Sequence, residues 1–127
     1  MDTFNKLLNY KTMKTLKSKQ KYYLTFLINR YKKCIDEVKD MDIVPQKTIS
    51  RLTGFGHNGT CILCKVFKHC TNCPHNNTST STKSYSCKEH ITYKSLNIIN
   101  SYYTYPIYVI EALNNRIEYL TKLRNEI

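Results

Sequence analysis

Two C-x-x-C pairs separated by five residues, Cys61-Ile62-Leu63-Cys64 and Cys70-Thr71-Asn72-Cys73, constrain this chain more than any other feature. Thiols at i and i+3 converge on one ion, because the tight turn between them also aims backbone N–H groups at the sulfurs. The five intervening residues let the chain turn back and close a tetrahedron. The spacing predicts a zinc site, with Zn2+ as cofactor and Cys61, Cys64, Cys70 and Cys73 as ligands. Cys87 is an alternative thiol ligand, and His57, His69, His75 and His90 are alternative imidazole ligands. Sulfur-rich paired C-x-x-C sites favour zinc over an iron–sulfur cluster. A four-thiolate shell leaves no open position, so the metal is expected to be structural, and no catalytic residue is assigned.

The first ten residues contain no apolar core of a secretory signal. The expected setting is therefore reducing and cytoplasmic, with the six cysteines serving as ligands or core thiols rather than disulfides. No apolar run approaches membrane-spanning length, so no membrane partner is expected. At 127 residues the chain has the size of one domain, and its 41% apolar content is enough for a modest core.

The string C-x-L-C…C-x-x-C-P…C, here Cys61, Leu63, Cys64, Cys70, Cys73, Pro74 and Cys87, resembles one found in small cysteine-rich proteins of bacteriophage and mobile-element genomes. It spans roughly a fifth of the chain. The resemblance implies zinc binding and a bacterial host cell.

Around this window the pattern is helical. Leu24, Leu27, Tyr31, Cys34, Val38 and Met41 recur at 3-4-3-4-3 spacing, widened by Ile28 and Ile35, which predicts a helix over 19–41 with one buried face. Cys34 lies on that stripe and reads as a core thiol. A weaker amphipathic pattern predicts a short helix over 3–17. Pro45 ends the first helical region, with one further turn expected at 46–52. All three glycines fall at 54–59 and mark irregular backbone leading into the cysteines. Residues 76–86 read as a polar, mobile loop. Residues 88–103 predict a helix with Ile91, Ser95, Ile98 and Tyr102 on one face. Pro106 suits the first turn of a last helix, where Ile110, Leu113, Ile117, Leu120 and Ile127 form the seam. The expected fold is mainly α: a small helical domain with an inserted zinc-binding loop of low regular structure. The body is formed by 3–52 and 88–127, the loop is 54–87, and the helix at 19–41 packs on the last one. Either a monomer or a homodimer is compatible with this pattern.

The net charge is +11 and uneven. Residues 1–33 hold nine Lys and Arg against one acid, whereas 104–127 hold three of each. Lys11, Lys14, Lys17, Lys19, Lys21, Lys32 and Lys33 are candidate contacts to DNA or RNA phosphates. A competing reading is compositional, because an AT-rich genome enriches Lys, Asn, Ile and Tyr through its codons. Tyr102, Tyr103, Tyr105 and Tyr108, grouped around Pro106, are candidate anchors for a protein partner. Two functions follow. One is a zinc-stabilised phage-type protein that binds and modulates a host or defence protein. The other is a basic nucleic-acid-binding zinc module acting as a DNA- or RNA-associated regulator. An enzyme is not expected. Five residues between cysteine pairs cannot hold the ββα element of a zinc-supported HNH nuclease, Glu89-His90 lacks HExxH spacing, and no phosphate or dinucleotide loop is present.

Overall fold

The computed structural model describes residues 15–54, 63, 66, 67, 73, 74 and 90–127. The chain is mainly α, with four helices among the described residues: α1 (Leu16–Val38), α2 (Thr48–Thr53), α3 (Ile91–Ile99) and α4 (Pro106–Glu126). Of the expected helix at 3–17, Leu16 and Lys17 belong to α1, and residues 3–14 lie outside the described residues.

α1 begins where Thr15 can cap it. The Thr15 hydroxyl accepts the Ser18 N–H at 3.1 Å, satisfying one of the donors that the first turn leaves without an intrahelical partner. Its apolar stripe does what the spacing predicts. Leu24, Leu27, Ile28, Tyr31, Cys34 and Val38 are buried, while Ile35 and Met41 pack at the margin.

α4 runs antiparallel to α1 and is its main packing partner. Arg124 Nη1 donates to Thr25 Oγ1 at 3.2 Å near one end, and Val44 pairs with Thr104 at the other. Pro106 occupies the first turn of α4, as expected. The predicted seam is displaced, however. Leu113 and Leu120 are fully buried, but Ile110, Ile117 and Ile127 are only partly so, and Val109, Ala112, Arg116, Tyr119 and Leu123 complete the core face. The cause is that α4 packs against α3 as well as α1, so its buried arc is wider and centred elsewhere.

α3 corrects a second expectation. The predicted face is turned outward, with Ile91 74% and Ile98 59% exposed, while Thr92 and Leu96 are buried. The buried guanidinium of Arg116 explains the choice. Its Nη1 donates to Thr92 Oγ1 at 2.9 Å, and it lies over the rings of Tyr119 (5.2 Å) and Tyr93 (6.0 Å). A hydrogen bond to a charged group contributes about 1.5–3 kcal/mol, and the fully buried Leu96 contributes a similar amount. The Thr92–Leu96 face therefore matches what burying Ile91 and Ile98 would return, and it supplies an acceptor to the buried guanidinium.

From the cysteine window, Leu63, Phe67 and Cys73 join the core cluster. The Phe67 N–H donates to the Leu63 carbonyl at 2.8 Å, and the Phe67 ring meets Tyr23 of α1 edge-on at 6.1 Å.

Candidate interaction face

One antiparallel backbone pair organises the end of the molecule where α1 finishes and α4 begins. Val44 N–H donates to Thr104 O at 2.7 Å, and Thr104 N–H returns to Val44 O at 3.2 Å. Side chains alternate along paired extended segments, so with Val44 and Thr104 buried, their neighbours Ile43, Pro45, Tyr103 and Tyr105 are directed to the opposite, solvent side. In this register Ile43 faces Tyr105 and Pro45 faces Tyr103. Ile43 is 52%, Tyr103 70% and Tyr105 59% exposed. Tyr102, Ile107 and Tyr108 extend the apolar surface onto the turn before α4 and its first turn, each about half exposed or more.

The backbone beneath this face is clamped. Lys47 adopts the left-handed conformation (φ 65°) as α2 begins, and it contributes no capping side chain. Asn100 supplies the cap from across the fold. Its carbonyl accepts the Lys47 N–H at 2.9 Å, its Oδ1 accepts the Ser50 N–H at 3.3 Å, and its Nδ2 donates to Ser50 Oγ. Gln46 Nε2 adds a bond to Ser101 O at 2.9 Å. Four hydrogen bonds thus tie 46–50 to 100–101, immediately before the tyrosines.

All four predicted tyrosines belong to this face. The sequence pointed to no interaction role for Ile43, Pro45 or Ile107. Their signal is the exposed–buried–exposed triplets at 43–45 and 103–105, which are too short to stand out as strands. The rim is charged: Asp40 and Asp42 precede Ile43, Lys39 and Lys47 flank that segment, and Glu111 lies one turn after Ile107 and Tyr108, all exposed.

The candidate nucleic-acid lysines sit elsewhere. Lys17, Lys21, Lys32 and Lys33 are exposed on α1. Lys19 is half-buried, its Nζ 5.6 Å from the centre of the Phe67 ring. Lys11 and Lys14 lie outside the described residues.

Of the nine candidate metal ligands, Cys73 and His90 are described; Cys61, Cys64, Cys70, Cys87, His57, His69 and His75 lie outside the described residues, as does the loop 76–86. Among the described residues no three His, Cys, Asp or Glu side chains group as a metal site. Two described residues of the C-x-x-C pairs lie in the core. Cys73 is buried, and Leu63, which lies between Cys61 and Cys64 in sequence, is fully buried. His90 is used differently. Its Nδ1 accepts the Thr92 N–H at 3.2 Å and contacts Thr92 Oγ1 at 2.7 Å, capping α3, while the ring stacks on Tyr119 at 3.8 Å. A neutral ring accepting at Nδ1 carries its proton on Nε2. Burial, and then the nearby Arg116 charge, push the His90 pKa below its ordinary value.

Cys34 is the core thiol its position on the stripe predicts. It is 2% exposed, and burial, reinforced by the Glu37 carboxylate, pushes its pKa up to about 11. No helix among the described residues is long and apolar enough to cross a membrane. Comparison with protein-family models, curated proteins and solved structures returns no match.

Proposed function

We propose that this chain is a small zinc-stabilised interaction protein that binds and modulates another protein through the face formed by Ile43, Tyr102, Tyr103, Tyr105, Ile107 and Tyr108. The observation that carries this reading is the pairing of Val44 with Thr104. It buries two residues and presents three large side chains of their neighbours to solvent. Tyrosines are efficient interface anchors because they bring large area at small entropic cost and can hydrogen-bond at the rim. Exposed acids (Asp40, Asp42, Glu111) and exposed bases (Lys39, Lys47) both border it, so the occupant is a protein surface with an apolar centre and a mixed-charge rim. On the resemblance of the cysteine string, that protein belongs to a bacterial host or its defences. Zn2+ held by Cys61, Cys64, Cys70 and Cys73 would fix the window that packs Leu63 and Phe67 into the core.

The test is photo-crosslinking from position 107 in a bacterial extract, purification of the captured protein, and titration calorimetry of the reconstituted pair. Tyr103→Ala and Tyr105→Ala should each weaken the complex by roughly thirtyfold, the scale of an interface hot spot. Lys32→Ala, on another face, should leave it unchanged. Undiminished affinity in the Tyr103→Ala/Tyr105→Ala protein refutes the assignment. A concentration-dependent dimer abolished by the same changes would replace the foreign partner with a second copy.

A further inference from the structure

A separate face of α1, remote in sequence from the tyrosines, carries a different chemistry. Tyr22, Phe26, Asn29 and Lys33 follow one another at 4-3-4 spacing, so they share one side of the helix. Phe26, Arg30, Lys33 and Leu52 line a groove of about 450 Å³ between α1 and α2. Tyr22 and Phe26 are each 41% exposed although both are large aromatics on a helix with ample buried surface. Arg30 Nε donates to the Leu52 carbonyl at 3.2 Å, which fixes its guanidinium at the groove edge rather than leaving it to swing in solvent. Lys33 and Arg51 are exposed on the two helices that flank the groove, and Lys21 adjoins Tyr22. Of the nearby acids, Asp36 pairs with Lys39 at 3.6 Å, and Glu37 closes the far end.

We infer that this groove binds single-stranded nucleic acid, with Tyr22 and Phe26 stacking on bases and Arg30, Lys33 and Arg51 contacting phosphates. Rings interleaved with cations at a surface match the requirements of an unpaired strand, whose bases offer π-faces that a duplex hides. Four residues of helix separate the rings by about 6 Å along the axis. Stacked bases are only about 3.4 Å apart. The two rings therefore receive splayed bases, which again selects a flexible single strand. The Tyr22 ring is already positioned, because it meets Tyr23 edge-on at 5.0 Å and Tyr23 rests in turn on Phe67. Stacking there loses little side-chain freedom. Glu37 sets a boundary: the strand lies between Lys21 and Lys33 and leaves the surface before the carboxylate.

The experiment is fluorescence anisotropy of the full chain with a labelled oligothymidylate of about 20 nucleotides and a duplex of equal length, across a salt series. The single strand should bind at least about tenfold more tightly than the duplex. Phe26→Ala should weaken it about tenfold and Phe26→Tyr should not, since both rings stack. Arg30→Gln and Lys33→Gln should each lower the log–log salt slope by about one. Tyr103→Ala/Tyr105→Ala should bind normally. Equal affinity for duplex and single strand, no binding near physiological salt, or an unaffected Phe26→Ala protein each overturns the inference. Loss of binding in the Tyr103→Ala/Tyr105→Ala protein overturns the assignment to this groove.

Discussion

Replacing Asn100 by alanine should destabilise the protein by about 2 kcal/mol, roughly 1 kcal/mol for each of the two side-chain hydrogen bonds it makes to Ser50. The cost is a capping cost. Ser50 is the third residue of α2, so its N–H has no acceptor within the helix, and Lys47 at the N-cap offers none. Asn100 performs from another segment what an N-cap side chain ordinarily does, a contribution of about 0.5–2 kcal/mol. Asn100→Asp keeps the Oδ1 acceptor but loses the Nδ2 donor, so it should show about half the loss. Urea unfolding gives the free energies directly. In thermal unfolding the alanine change corresponds to roughly 8 °C for a chain of this size. Amide exchange adds a local readout: Lys47 N–H, bonded to the Asn100 backbone carbonyl, should lose protection beyond the global change if the side-chain clamp holds that turn in place. A loss smaller than about 0.5 kcal/mol, the range of ordinary surface substitutions, would refute the cross-fold cap.

Three further outcomes are expected. His90 is held neutral by burial and by Arg116, so its contribution to stability is complete above its ordinary pKa and is lost as pH falls through the lower folded value. His90→Asn, which can still cap α3, should flatten that acid limb in a pH series of urea midpoints; an unchanged limb refutes the assignment. Cys34, with its pKa raised to about 11, should be alkylated far more slowly in the native chain at pH 8 than in urea, read by peptide mass mapping, and its stabilising effect should fade as pH rises from the unfolded thiol's value towards 11. Equal native and unfolded rates would place it at the surface. Cys61→Ser should release zinc and lower the melting temperature; full zinc content and an unchanged melt would remove Cys61 from the ligand set.

The two long helices were readable because each carries many apolar residues at helical spacing, and Pro106 marks one boundary outright. What the one-dimensional pattern could not resolve was which side of a short helix turns inward. In α3 the period admits either Ile91 and Ile98 or Thr92 and Leu96, and the decision rests with Arg116, a charged residue from another helix. The tyrosines of the interaction face were visible as a cluster in sequence. Ile43 and Pro45 were not, because their place beside the tyrosines is made by a single backbone pair sixty residues apart in the chain. The lysines were visible as charge, but their division among different sides of α1, and the half-buried position of Lys19 over Phe67, depends on where the cysteine window docks.

The antiparallel pairing of α1 with α4 also sets an order of events in time. Thr25 and Arg124, bonded in the folded protein, are 99 residues apart in sequence. An all-helical chain usually folds quickly because its contacts are local, but here the central contact is among the most distant the chain can make. Some seventy residues separate the end of α1 from the start of α4, which at about 5–20 residues per second is several seconds of synthesis. Throughout that interval Leu24, Leu27, Tyr31 and Val38 have no α4 to cover them. The nascent chain is then most exposed to aggregation, and to capture by chaperones.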